Sequence, residues 1–521
     1  MSDQQFIERK IIIGLITSTD FLKQIRGLYQ NRLLNSPSAK RLATWCIEYF
    51  DKFKEAPQKN IEGIYFDKLK GLPKDIVEDI GEILDGLSKE YEDQSKTDQD
   101  YLISQTKQYF ASRHLEIHEE KLKALRENGD LMAATALARS FKGITQEEDL
   151  ALNFATQNAL RAVEKAFEES SVPLISYPKA LGRFLNSKLI RGGFVAFLAS
   201  EKRGKSFLLM DMATRSAYQG NKVAFFQAGD MTESAQIRRF CIHLSKTSDR
   251  EEYCGRMLQP VPDCIFNQLN LCTKKERECN FGVFEDRFSE KDIRDSITKQ
   301  DLEDAFRDNP DYKNCYNCEE YKFKPWGVPW VEEITVKEPL DVRQAKKVFR
   351  RYFIKENRPI MLSTHSNGTL TISKIKALLN EWEISQDFIP DVIIIDYADL
   401  LVPDSKMEFR HQQNEIWKNL RALSQEERGG KLPLLVTATQ ADANSYDKNL
   451  LTLGNFSEDK RKYGHVTSML GLNQDPKGRE KRIGMMRINE IVLREDEFNS
   501  NNVVYVLQNL KRGLPVIGSF F

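Results

Sequence analysis

The sequence predicts a two-part α/β protein: an open, mostly parallel sheet with flanking helices, preceded by an all-α N-terminal domain and a linker helix. Three observations predict it. Short apolar runs, Phe194–Ala199, Lys222–Phe226, Val392–Ile395 and Leu434–Thr439, recur in the second half, and each gives way to polar residues, as strands buried on both faces do. Residues 1–145 lack such runs and carry Leu, Ile, Glu and Lys at helical spacings, as in FLKQIRGLYQNRLL. Between the two, NFATQNALRAVEKAFEES (153–170) is amphipathic and stands isolated by GITQEED before it and SVPLISYP after it. The expected division is therefore a helical domain over 1–145, a linker region over 146–178 and the α/β domain over 179–521.

The first strand run leads through a polar loop into Gly204-Lys205-Ser206 and then a helical stretch, FLLMDMATRSAY. A strand, a short loop and a helix N-terminus make a phosphate cradle: backbone N–H groups point at the anion, a lysine adds charge and a hydroxyl holds Mg²⁺. The spacing is G-x-x-x-x-G-K-[ST], with Ala199 where the first glycine is usual. Residues Ala199, Ser200, Glu201, Lys202, Arg203, Gly204, Lys205, Ser206 and Phe207 are the expected nucleotide-binding loop.

Such a site also needs an acidic residue at the end of a buried strand to support the metal. PDVIIIDYADLL supplies Asp396 after Val392–Ile395. KVAFF runs into Gln227-Ala-Gly-Asp230-Met-Thr, and LLVTAT ends on Gln440. Because ligands of open parallel sheets sit beyond the carboxyl ends of the strands, Asp230, Asp396 and Gln440 are expected to face one γ-phosphate.

The order GKS, strand-GDMT, IIIDYADLL, strand-TQ resembles the RecA-type ATPase core of DnaB-family replicative DNA helicases. VVYVLQNLKRGLPVIGS (503–519) resembles the family's closing strand, whose basic residues reach the nucleotide of the neighbouring subunit. The resemblance implies that Lys205 and Ser206 bind phosphates and Mg²⁺, Asp396 supports the metal, Gln440 senses the γ-phosphate, and Lys511 or Arg512 acts in trans. The family's catalytic carboxylate is a glutamate; the matching position here is Asp230, and Glu233 is the alternative, although an acidic first turn behind Thr232 also accounts for it. The resemblance further implies a homohexamer translocating 5′ to 3′ on single-stranded DNA, with a primase and a helicase loader as partners and a linker helix packed on the adjacent subunit. Its alternative is a RecA-type ATPase that is not a helicase, acting in strand exchange, regulation or defence.

Six of the eight cysteines lie between Cys254 and Cys318. In a reducing compartment, clustered cysteines favour metal over disulfides. Cys315-x-x-Cys318 with Cys264 and Cys272 is the expected structural Zn²⁺ tetrad, Cys279 and Cys254 competing for the second pair, within an insertion spanning about 245–335. This atypical insertion suggests a phage or prophage type. Cys46 and Cys241 read as small buried hydrophobes.

With 77 Lys+Arg against 77 Asp+Glu there is no global basic field, so contact with DNA has to be local. NFSEDKRKYG, after the Gln440 strand, offers Lys460, Arg461 and Lys462; KGREKR (477–482) is a weaker choice. No apolar run approaches the roughly 20 residues of a membrane span, and the start lacks a secretory core. A cytoplasmic protein, in a bacterial or phage-infected cell, is expected.

Overall fold

The computed structural model describes residues 3–69, 73–90, 98–139, 141, 154, 157–169, 172–316, 318, 324–404, 408–455, 460–494, 497–499 and 501–521. The chain separates into two compact units, Met1–Ala162 and Val163–Phe521.

The first unit is helical: α1 (Asp3–Thr17), α2 (Thr19–Ile25), α3 (Pro37–Phe53), α4 (Asn60–Lys68), α5 (Lys74–Glu90), α6 (Asp98–Glu127) and α7 (Leu131–Arg139). Local chemistry starts these helices. Ser18 Oγ accepts from Phe21 N, and Ser36 Oγ accepts from Ala39 N with Pro37 at the first helical position, each such cap contributing about 1 kcal/mol. Ile11, Ile12, Leu15, Phe21, Leu22, Cys46 and Phe110 form the core. Glu8, almost fully buried, accepts from Ser36 N (3.0 Å) and the Tyr109 hydroxyl (2.6 Å), which ties α1, α3 and α6 together. The linker segment is helical as α8 (Gln157–Glu169), and the boundary between the units falls within it; GITQEED lies outside the described residues.

The second unit carries eleven described strands: β1 (Phe194–Ala199), β2 (Val223–Gln227), β3 (Gly255–Cys264), β4 (Gly327–Val336), β5 (Ile360–Thr364), β6 (Val392–Asp396), β7 (Leu434–Gln440), β8 (Ser468–Asn473), β9 (Met485–Leu493), β10 (Val503–Asn509) and β11 (Leu514–Phe520). Nine form one sheet in the order β11-β10-β9-β8-β1-β7-β6-β2-β5, parallel from β8 to β5 and antiparallel from β8 to β11. Its helices are α9 (Lys179–Leu185), α10 (Lys205–Tyr218), α11 (Glu233–Ser245), α12 (Ile265–Gln268), α13 (Glu290–Asp295), α14 (Lys299–Asp308), α15 (Val342–Phe349), α16 (Ile372–Gln386), α17 (Phe409–Ser424) and α18 (Arg479–Ile483). Alternate residues of β1 feed two cores: Val195 and Phe197 meet Leu208 and Met212, while Phe194 and Leu198 meet Trp417 and Ile395. Each such side chain contributes about 1.5–3 kcal/mol by leaving water, which is why β1, β2, β6 and the apolar run of β7 read as unbroken apolar segments rather than alternating ones. No described helix is long and apolar enough to cross a membrane.

The insertion is a β3–β4 hairpin, paired from Gly255↔Val336 to Cys264↔Gly327, with α12, α13 and α14 packed on it. Asp263 organises it. Its carboxylate accepts from Cys264 N (2.7 Å), Cys315 N (2.8 Å), Asn267 Nδ2 (3.2 Å) and the Tyr312 hydroxyl (2.7 Å). Burial nevertheless pushes its pKa up to about 6.

The zinc expectation is not met. Cys264, Cys272, Cys315 and Cys318 line one cavity of about 280 Å³, yet among the described residues no group of three or more His, Cys, Asp or Glu is placed to hold a metal ion. Instead the Lys274 ammonium donates to Cys318 Sγ (3.3 Å), and Cys264 packs in the apolar core, where burial pushes its thiol up to about 12. A closed metal site needs converging thiolates; here the buried Asp263 carboxylate gathers the same loop.

Candidate active site

The strand register fixes the site. Ala199 at the end of β1 pairs with Gln440 at the end of β7, and Asp396 at the end of β6 pairs with Gln227 at the end of β2. Four carboxyl ends therefore lie side by side in the order β1-β7-β6-β2.

Above β1 the chain turns through Ser200–Gly204 into α10, with Gly204 as N-cap in the left-handed region at φ 87°. Ala199 is the last paired residue of the strand and wholly buried. It needs no positive φ, which explains why alanine serves where glycine is usual. Lys202, by contrast, holds φ 57°, a conformation that costs a non-glycine residue roughly 1 kcal/mol. The loop is braced by Ser200 Oγ on Ser445 Oγ (2.7 Å) and by Arg203 Nη1 donating to Gln474 Oε1 (2.9 Å).

Lys205 Nζ donates to Ala199 O (3.0 Å) and Ser200 O (3.3 Å) and stands over the Tyr397 ring. Burial lowers its pKa, opposed by the charges of Asp399, Asp396, Glu201 and Asp230. Ser206 Oγ donates to Asp396 Oδ1 at 3.0 Å, while Asp396 Oδ2 is buried with no hydrogen-bond partner among the described residues. Burial pushes Asp396 up to about 6, against the pull of Ser206, Arg239 and Lys205. A hydroxyl on a carboxylate whose second oxygen lacks a donor is a hard-oxygen pair that suits Mg²⁺.

Asp230 lies just beyond β2, exposed, and its charge acts on Lys205, Asp396 and Arg239. Gly229 before it has φ 123°, and a Cβ there would stand 2.3 Å from Asn367 Cα, so only glycine permits this approach. Glu233 opens α11 instead, behind the Thr232 cap, and accepts from Thr364 Oγ1 (3.5 Å). Gln440 Nε2 donates to Glu201 Oε1 (3.1 Å), joining β7 to the Ser200–Gly204 turn. Phe207 lies under the Arg239 guanidinium at 4.9 Å.

Lys511 and Arg512 form the 3₁₀ turn between β10 and β11. Arg512 donates to Lys246 O (2.9 Å) and to Gln259 Oε1 (2.5 Å), whereas Lys511 is exposed and lies over the Tyr253 ring at 4.9 Å. The three basic residues after β7 separate. Lys462 is 1 % exposed and donates to Asp399 Oδ1 (2.7 Å), so it is turned away from any ligand in solvent; Arg461 is exposed. The Lys460 side chain and residues 456–459 lie outside the described residues. In KGREKR, Arg479 donates to Arg294 O and Ile297 O and so fastens the insertion.

Sequence reasoning missed Asp399. It accepts from Thr439 Oγ1, Gln440 N and Lys462 Nζ, and among the carboxylates it acts most strongly on Lys205. The signal was present: Asp399 stands three residues after Asp396 in the same segment. Arg239 was also missed, because one arginine in an amphipathic helix carries no local signature.

The solved structure of a DnaB-like replicative helicase, described with its interactions with primase, matches with a TM-score of 0.56 at 11 % identity, over 98 % of this chain and 98 % of that one. This chain has the fold of a DnaB-like replicative helicase. A second solved structure, an ATPase domain, matches at 12 % identity with a TM-score of 0.44, over 70 % of this chain and 99 % of that domain. No family model and no curated protein sequence matches. Within the DnaB-like fold the RecA-like sheet carries Lys205, Ser206, Asp230, Asp396 and Gln440 at or beyond the carboxyl ends of its strands, and the all-α unit precedes it in the chain.

Proposed function

We propose that this chain is a Mg²⁺-dependent ATP hydrolase working as a replicative DNA helicase, a homohexameric ring that moves 5′ to 3′ along single-stranded DNA in the cytoplasm. One observation carries the reading: in a DnaB-like fold, Ser206 at the start of α10 bonds Asp396 at the end of β6, directly beside Lys205.

In this reading the backbone N–H groups at the start of α10 take the phosphates, favoured by the helix dipole. Lys205 exchanges its bonds to the Ala199 and Ser200 carbonyls for phosphate oxygens. Ser206 and Asp396 would hold Mg²⁺, which supplies charge neutralisation at the β and γ oxygens when bound. Asp230 takes the proton of the attacking water, its charge being among those that act on both Lys205 and Asp396. Gln440, held to Glu201, reports the γ-phosphate to the loop that follows β7. Lys511 is the more accessible trans-acting cation, because Arg512 is engaged within its own chain. Arg461 and Lys460 are the proposed DNA contacts of that loop, while Lys462 supports it from within. Exposed Leu160, Val163 and Phe167 recur on one face of α8 and favour oligomerisation through this helix. A primase and a helicase loader are the partners this reading implies.

The test is ATP turnover by the purified chain with and without single-stranded DNA, with Lys205→Ala and Asp230→Ala variants and a mass measurement of the assembly. DNA-stimulated turnover by a hexamer, abolished by both changes, is expected. Turnover indifferent to DNA and to Asp230 would overturn the helicase reading in favour of a regulatory RecA-type ATPase.

A further inference from the structure

Basic and acidic residues are equal in number over the whole sequence, but they are unbalanced on the face described next. The segment entering the edge strand β5 is α15, continued by a π-helical stretch Arg350–Lys355. Arg343, Lys346, Lys347, Arg350, Arg351 and Lys355 recur at helical spacing along it, all exposed, and they alone line a recess of about 440 Å³. None of the six makes an ion pair or side-chain hydrogen bond with a described residue. The nearest acids in sequence are otherwise engaged: Asp341 caps the helix at Gln344 N, and Glu356 pairs with Arg358. Six like charges over about 18 Å of helix repel one another, and contact with a polyanion relieves that repulsion.

The opposite side of the segment is fixed to the protein. Phe353 packs edge-on against Phe240 of α11 at 6.3 Å and against Phe349 at 4.6 Å, and the Tyr352 hydroxyl donates to Thr214 O. The aromatic face is thus already used, which argues against insertion of this helix into a lipid surface. The exposed face carries no aromatic platform of the kind that binds single strands by stacking. A row of cations without stacking groups suits the repeating phosphates of a nucleic-acid backbone, and the densest such array is the duplex, with one charge per roughly 1.7 Å of axis.

We propose that this face is a docking surface for the backbone of double-stranded DNA, separate from the single-strand loop after β7. The inference stands on the patch itself and does not depend on ATP turnover.

The test uses the full chain. Binding of a labelled 20-base-pair duplex, a 20-base single strand and phosphatidylserine vesicles is followed over a salt series for the wild type and for Arg343→Gln/Lys347→Gln/Arg350→Gln/Arg351→Gln. Loss of four phosphate contacts is expected to weaken duplex binding at least tenfold and to make its log–log salt slope shallower by about 3 to 4, with single-strand and vesicle binding changed less than twofold. Unchanged duplex binding overturns the proposal, and so does a loss confined to vesicles or to the single strand. Should the fourfold variant melt lower than the wild type, Lys346→Gln/Lys355→Gln, which alters two exposed tips, is read against the same criterion with about half the slope change.

Discussion

Replacing Asp396 by Asn should stabilise the protein while removing its affinity for Mg²⁺-nucleotide. The folded carboxyl titrates near 6 because it is buried, against an ordinary value of 3.8. A raised folded pKa gives stability that is fully present below the unfolded value and lost as pH rises through the folded one. At pH 7.5 the accumulated loss is roughly 3 kcal/mol, and at pH 5 it is about half that. Asparagine keeps an acceptor for Ser206 but places an amide where Oδ2 has no partner, a cost of about 1–2 kcal/mol. The variant should therefore gain roughly 1–2 kcal/mol at pH 7.5 and close to nothing at pH 5. Guanidinium unfolding in EDTA, followed by tryptophan fluorescence, reads this in the second unit, where Trp326, Trp330, Trp382 and Trp417 lie. Adding Mg²⁺-ATP should reverse the order, because binding stabilises only the chain that binds. A variant less stable than the wild type by the same margin at both pH values would refute the argument, since the penalty would then not be the buried charge.

Gly229→Ala pushes a Cβ against the Asn367 backbone at a φ unfavourable to alanine, which should cost about 2–3 kcal/mol and lower turnover at least tenfold by shifting Asp230; melting and kcat are the two readouts. Asp263→Ala strips four donors of their acceptor and should destabilise the second unit by about 3–5 kcal/mol, with faster labelling of Cys315 and Cys318 by a thiol reagent; unchanged labelling would mean that the loop holds itself. Lys462→Ala leaves the Asp399 carboxylate without its ammonium and should lower stability by about 2–4 kcal/mol, whereas Arg461→Ala should weaken single-strand binding, read by titration of a labelled oligonucleotide.

Much of the sheet was legible because strands buried on both faces must be apolar throughout, so Val392–Ile395 and Phe194–Ala199 stand out without any alignment. The acidic and polar residues at their ends were legible for the same reason: polarity resumes where the sheet stops. Lys462 was misread because a run of three cations carries no mark of which one turns inward; that depends on Asp399, sixty-three positions away in the chain, reaching the same spot. The cysteines misled in a related way. Spacing within a Cys-x-x-Cys pair is local, but convergence of two pairs depends on how the β3–β4 hairpin closes, and there the Asp263 carboxylate gathers the loop while no metal-holding group forms among the described residues. The charge of α15 was present in the sequence, yet its significance appears only once the neighbouring acids are seen to be occupied elsewhere.

The insertion's apolar core takes Ile483 from α18 and Met485, Leu507 and Phe520 from the end of the large sheet, and Gly327 leaves room for Phe520, whose Cβ a methyl group would strike at 2.0 Å. Excising residues 255–336 would thus not leave a self-sufficient sheet; it would bare one flank of β9, β10 and β11 and release Arg512 from Gln259. The segment that looks like an accessory is the outer wall of the hairpin carrying Lys511, so whatever grips the insertion from outside also holds a lever on that turn.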